Sequence, residues 1–276
     1  MKPRIPIAGV DREYAALRSS VSSAAAAVFE STKFILGPEV AAFETEIGSY
    51  LGGVHAVGCA NGTDALVLAL RALEIGPGDE VIVPAFTFAA TAEAIVLAGA
   101  TPVFADIEPD TFAIDPLSPA SLVGPKTRAI LAVHLFGQCA RMEPLLELAE
   151  RASLRVVEDA AQAIGARWRG KPAGALGHAA GFSFFPTKNL GGPGDGGLVT
   201  AGDARVAERL RMLRAHGSRQ AHVHEMIGCN SRLDELQAAV LRVKLPLLDG
   251  WNDKRRATAA RYRQALGGSV TAPVEV

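Results

Sequence analysis

Cysteine is scarce in this chain of 276 residues. There are three, Cys59, Cys139 and Cys229, far apart and without C-x-x-C spacing. An odd number at such separations argues against a disulfide framework or a cysteine zinc site and fits reduced thiols in the cytoplasm. A charge excess is lacking too: Lys+Arg number 28 against Asp+Glu 29, a net charge of −1. No chain-wide basic field is available to lie along nucleic acid or an anionic membrane, so any basic site must be local. Long apolar runs are also missing. The longest, such as Ala24–Phe29 and Ala129–Val133, fall far short of the roughly 20 residues that span a bilayer. The start, MKPRIPIAGVDREY, is too polar and proline-interrupted for a signal peptide. These absences point to a cytoplasmic protein with no membrane and no nucleic-acid partner. No internal repeat or low-complexity linker interrupts the chain.

What is present is a large apolar fraction, 49%, ample for a packed core. Short β-rich runs alternate with longer helical ones. Strands are expected at His55–Cys59, Glu80–Pro84, Pro102–Ala105, Arg128–His134, Arg155–Glu158, Ala179–Phe185 and Gly197–Thr200. Several are continuous apolar runs, as strands covered on both faces require. Helices are expected at Thr63–Leu73, Thr87–Ala98 and Met142–Arg151, and Ala24–Ala27 also reads as helix. This alternation predicts an α/β fold with a mostly parallel central sheet flanked by helices. After Asp203, a capping residue for a helix to about Ala215, the pattern turns helical. Arg232–Leu248 is a helix that Pro246 should end or kink. Trp251–Leu266 continues it, and GGSVTAPVEV closes the chain as a strand-like tail.

Four stretches sit at the ends of expected strands, where open α/β sheets hold ligands. Asn61-Gly62-Thr63-Asp64 leads from a strand into a helix, whose free N–H groups can cup a phosphate. The same residues also read as an ordinary capped turn. Glu158-Asp159-Ala160-Ala161-Gln162 ends a buried strand; Asp159 can hold a cationic ring nitrogen and Gln162 a ring hydroxyl, or the pair can be a helix cap beside a solvated acid. Ser183-Phe184-Phe185-Pro186-Thr187-Lys188 places a lysine after an aromatic strand. Desolvation there would free its amine to attack an aldehyde; a surface lysine in a glycine loop is the other reading. Ser183 can face the same phosphate as Thr63. Gly191–Gly197 is glycine-rich, but the lysine precedes the glycines, so it is not a Walker loop. Together, in order, an anion cup, a strand-end acid, a serine and a loop lysine are the parts of a pyridoxal 5′-phosphate (PLP) site.

At these motifs the sequence resembles the DegT/DnrJ/EryC/StrS sugar aminotransferases, within the fold-type I PLP enzymes. The resemblance runs from about Ile5 to the end of the chain. It is carried by NGTDALVLALRAL (61–73), GDEVIVPAFTFAATAEAI (78–95), TPVFADIEPDTFAID (101–115), VEDAAQAIGA (157–166), SFFPTKNLGGPGDGG (183–197) and CNSRLDELQAAVLRVKL (229–245). It implies that Lys188 captures PLP and shuttles the proton, Asp159 pairs with the ring nitrogen and Gln162 meets the ring hydroxyl. Gly62, Thr63 and Ser183 would hold the phosphate. Phe88 would stack on the ring face; without the resemblance, Phe86 and Phe88 read equally as core aromatics. Asn230 would reach the neighbouring subunit's phosphate site, which implies a homodimer with shared active sites. The implied reaction is ping-pong transamination, from L-glutamate to a keto sugar carried on dTDP or UDP, for deoxyamino sugars of polysaccharides or natural products. A few relatives are dehydratases with histidine at the lysine position, so Lys188 argues for transamination. The resemblance also implies a PLP-binding large domain over residues 1–250, including the N-terminal helical segment. Residues 251–276 would begin a C-terminal small domain, largely missing here.

Two other readings stand beside this one. An NAD-linked oxidoreductase would need G-x-G-x-x-G after the first strand, and CANGTDAL stands there instead. A truncated PLP-fold chain with little activity, acting as a binding or dimerisation module, is the alternative within the fold. Arg205–Arg214 reads as a solvated helix face. His216, His222 and His224 lack the spacing and acidic partners of a metal site. His134 reads either as pocket lining or as core.

Overall fold

The computed structural model describes residues 8–220 and 222–276. Residues 1–7, the start of the expected large domain and of the family resemblance, lie outside the described residues. Seven strands form one sheet: β1 (His55–Cys59), β2 (Glu80–Pro84), β3 (Thr101–Ala105), β4 (Thr127–Val133), β5 (Arg155–Asp159), β6 (Ala179–Ser183) and β7 (Gly197–Ala201). Their spatial order is β1-β7-β6-β5-β4-β2-β3. Neighbours are parallel from β3 through to β6, and β7 is antiparallel to both β6 and β1. The expected strands therefore form, within two residues at their ends, as a mostly parallel sheet.

Helices cover both faces: α1 (Val10–Ser31), α2 (Pro38–Tyr50), α3 (Gly62–Ala72), α4 (Ala89–Leu97), α5 (Met142–Ala152), α6 (Ala204–Leu213), α7 (Glu235–Lys244) and α8 (Leu248–Leu266). Side chains alternate between faces along each strand. Ile82, Ile130 and Val156 join one core with Phe43, Ile47, Phe182 and Phe184. Val81, Val83, Leu131 and Val157 join the other, with Leu66, Leu70 and Val199. Both cores are buried, which explains strands written as unbroken apolar runs. No helix among the described residues is long and apolar enough to cross a membrane.

The helical half departs from expectation in detail. The helix expected over Arg232–Leu248 begins only at Glu235, and at Leu245–Leu247 it tightens into a 3₁₀ turn containing Pro246 before α8 resumes. Proline lacks the N–H that the α-helical ladder needs. The tail forms no strand. Val274 instead donates its N–H to the Asp110 carbonyl at 2.8 Å and accepts from the Gln138 amide at 2.9 Å. Glu235 caps a distant helix: its carboxylate accepts the N–H groups of Gly37, Glu39 and Val40 at 2.8–2.9 Å, at the start of α2. Those donors have no partner inside the helix, and a carboxylate also suits the positive end of its dipole.

Candidate active site

Six strands share one direction, so the chain leaves β1, β2, β5 and β6 at the same edge of the sheet. Asn61 follows β1, and its Oδ1 accepts the Asp64 N–H at 2.8 Å to cap α3. Gly62 opens that helix against Ser183, the last residue of β6. A Cβ on Gly62 would lie 2.7 Å from the Ser183 Cβ and 3.2 Å from its Oγ. Only glycine permits that approach. It brings together a helix N-terminus, the half-buried Thr63 beside it and the Ser183 hydroxyl. The Ser183 oxygen accepts from the Phe185 N–H at 3.3 Å, which leaves its proton to give. Such a cradle suits a phosphate.

Asp159 ends β5 and is 8% exposed. Its Oδ2 accepts from the Thr91 hydroxyl at 2.7 Å and its Oδ1 from the Ala161 N–H at 3.1 Å. Burial pushes its carboxyl above the ordinary range; Thr91, Ala161, His134 and Lys188 pull it partly back. The solvated-acid alternative is therefore excluded. Lys188 lies in the loop after β6, half-buried. Desolvation lowers its pKa below the ordinary lysine value, and the Asp159 charge opposes that shift. The two groups thus lie within each other's field. Desolvation favours the neutral amine, the form that attacks an aldehyde.

The Gln162 Oε1 accepts the Phe136 N–H at 2.8 Å, which leaves its amide nitrogen free to donate to a ring oxygen. Phe88 precedes α4 and is 74% exposed, while Phe86, 49% exposed, packs on Phe112 with centroids 5.7 Å apart. Neither is a core aromatic. Asn230 stands apart. It is exposed, forms an isolated bridge with Ala215, and shares no hydrogen bond with the other site residues among those described. Its neighbour Ser231 is buried and accepts the Ala60 N–H at 3.2 Å, which ties that segment to the loop before α3.

Several supporting residues have no role that the sequence alone assigns. Thr91 holds Asp159. Asn252 on α8 accepts from the Asn189 amide at 2.8 Å and donates to the Ile164 carbonyl at 3.1 Å, bracing the lysine loop. Buried Lys244 reaches the Gly191 carbonyl and Glu13. Gly191 itself is obligatory, because a Cβ there would lie 2.8 Å from the Phe185 carbonyl oxygen. His134 proves to be core, with no exposed surface. Its Nδ1 accepts the Ala140 N–H at 3.1 Å, so the proton sits on Nε2 and points to Glu158 at 2.9 Å.

A helix N-terminus beside a serine hydroxyl, a buried acid, an amide donor, an exposed aromatic and a half-buried lysine at one sheet edge have the chemistry that PLP would need. The class so defined is a PLP-dependent aminotransferase of the α/β type. Residues 16–275 match the DegT/DnrJ/EryC1/StrS aminotransferase family, and the chain belongs to it. It is 52% identical to the dTDP-3-amino-3,4,6-trideoxy-alpha-D-glucose transaminase of Streptomyces venezuelae, over 98% of this chain and 73% of that protein. It is 48% identical to the UDP-N-acetyl-3-dehydro-alpha-D-glucosamine 3-aminotransferase of Acidithiobacillus ferrooxidans, over 96% of this chain and 72% of that one. A crystal structure of DesV from S. venezuelae, in complex with a ketimine intermediate, superposes with a TM-score of 0.98 at 51% identity, covering 100% of this chain and 75% of that one. The chain thus spans about three quarters of the length of these relatives.

Proposed function

We propose that the protein moves an amino group from L-glutamate to a keto sugar carried on dTDP or UDP, releasing 2-oxoglutarate and a nucleotide-linked amino sugar. The observation that carries this reading is Lys188, half-buried and within the field of the buried Asp159. The relatives support the substrate class, since one bears the name of a dTDP-sugar transaminase and another that of a UDP-sugar aminotransferase.

In this reading PLP, when bound, supplies the electron sink for the carbanion that amino transfer requires. Gly62, Thr63 and Ser183 anchor its phosphate, and Phe88 covers one ring face. Asp159 is the negative partner of the ring nitrogen, and the Gln162 amide donates to the ring oxygen. Lys188 holds the cofactor through its Nζ, and in each half of the reaction the same amine moves a proton to or from the reacting carbon. Burial of the acid keeps water from it and partial burial thins the hydration of the amine, which strengthens their electrostatic hold. The exposed Asn230 suits a partner subunit's phosphate site, so the active form in this reading is a homodimer with two shared sites.

The test is incubation of PLP-loaded protein with glutamate and a panel of dTDP- and UDP-keto sugars, read by mass. Exchange of a sugar carbonyl oxygen for an amine, with 2-oxoglutarate formed in equal amount, is the expected result. Retention of PLP with no amination of any sugar would point instead to the binding or dimerisation module.

A further inference from the structure

Helix α4 contains one fully buried hydroxyl. Thr91 has no exposed surface, and its helix neighbours are mostly alanine, isoleucine, valine and leucine. Packing alone does not explain a threonine there, since valine has the same shape and no polar atom to bury. Its Oγ1 lies 2.7 Å from Oδ2 of Asp159, 68 residues later in the chain, and 2.8 Å from the Thr87 hydroxyl. The proton count then sets a direction. An ionised carboxylate only accepts, so Thr91 donates to Asp159, and Thr87 donates to Thr91. The result is a two-hydroxyl chain ending on one carboxylate oxygen. The Ala161 N–H occupies the other at 3.1 Å.

We propose that Thr91, backed by Thr87, is a positioning residue that aims the Asp159 carboxylate at the cofactor's ring nitrogen. This rests on the pairing of Asp159 with that nitrogen. With each oxygen already accepting one bond, the carboxylate cannot rotate freely, and the lone pairs left over point where the chain's own donors do not. The relay runs through the segment that carries Phe88, since Thr87 and Phe88 are consecutive. One short piece of chain therefore sets both the stacking face and the orientation of the acid. The other groups that act on Asp159 are His134 and Lys188. His134 is engaged with Glu158 and Ala140, so neither of its ring nitrogens can substitute for the threonine.

The test follows the visible band of the cofactor joined to Lys188 as pH is varied in the loaded protein. The protonation state of the ring nitrogen sets the midpoint of that titration. Asp159→Asn is the reference and is expected to give the largest shift. Thr91→Val is expected to shift the midpoint in the same direction by about half to one pH unit, the scale of one lost hydrogen bond to a charged group. Thr91→Ser keeps the hydroxyl and is expected to restore the wild-type midpoint, and Thr87→Val to shift it less than Thr91→Val. If the valine variant does not fold, Thr91→Ala removes the same hydroxyl with less bulk. A normal midpoint in Thr91→Val or Thr91→Ala, alongside a shifted Asp159→Asn, overturns the proposal. So does a serine variant shifted as far as valine, which would mean that the methyl group matters and not the hydroxyl. An unshifted Asp159→Asn overturns instead the pairing of Asp159 with the ring nitrogen.

Discussion

Glu158 and Asp159 are adjacent carboxylates at the end of one buried strand, on opposite faces of the sheet. Glu158 is fully buried and accepts the N–H groups of Gly174, Leu176 and Gly177 at 2.7–2.8 Å, besides the His134 Nε2 proton. Every direction in which it can accept is in use. Asp159 is nearly as buried but accepts from only Thr91 and Ala161, and it feels the charge of a lysine. One acid is complete within the chain and fastens the loop after the Arg167–Pro172 hairpin to the sheet. The other is left short of partners, at a cost in burial, beside an amine in the same condition. Buried polar groups are satisfied as a rule, so the incomplete one marks the place for a ligand.

The largest effects should separate the two acids most clearly. Asp159→Asn is expected to lower kcat by about 10²–10⁴-fold, the range of a lost charge partner at a reacting site, with the fold intact by circular dichroism. Glu158→Ala is expected to destabilise the protein by about 3–5 kcal/mol, because it strands several buried donors. Activity per folded molecule should then change far less than in Asp159→Asn. Denaturant unfolding and single-turnover rates together check this; a Glu158 variant that is stable but inactive would erase the distinction.

A smaller effect tests the burial cost directly. In the folded protein the Asp159 carboxyl lies above its ordinary value of 3.8. Below that value the folded and unfolded chains are both protonated there, and ionisation costs nothing. As pH rises through the raised value, the folded state must ionise a buried group and loses stability. Asp159→Asn should therefore raise the Tm of the cofactor-free protein at neutral pH, and the gain should vanish as pH falls below the ordinary carboxylate range. Thermal melts across that interval decide it. A cofactor-free Asn variant that melts lower than wild type at pH 7 would mean that the buried carboxylate carries no net cost.

The smallest effect concerns the cradle. Gly62→Ala would press a methyl group against Ser183. It is expected to cost about 1–3 kcal/mol of stability by overpacking and to weaken PLP binding, as followed by equilibrium dialysis. Unchanged affinity would remove Gly62 from the phosphate site.

Much of this was legible in the sequence, for a physical reason. Strands covered on both faces are written as apolar runs, and the groups that need a ligand follow their ends. Asp159, Lys188 and Gly62 could be read from that placement together with the family motifs. Thr91 could not: within AATAEAIVL a threonine has no signature, and its partner is 68 residues away. The cap that Glu235 gives α2, almost two hundred residues apart in sequence, is equally silent. The helix start at Glu235 was misplaced by three residues because Arg232–Asp234 are helix-compatible in composition, yet an isolated bridge joins Asp234 to Ile35. Tertiary pairing overrode local preference there, as it did for the tail, whose valine finds loop partners and not a strand.

In the proposed reaction one amine, on Lys188, receives the cofactor. Borohydride treatment of the PLP-loaded protein, followed by peptide mapping, asks this directly. A stable pyridoxyl mass is expected on the peptide containing Lys188, and none in the Lys188→Ala variant. Labelling of another lysine at equal yield, or persistent labelling in that variant, would contradict it.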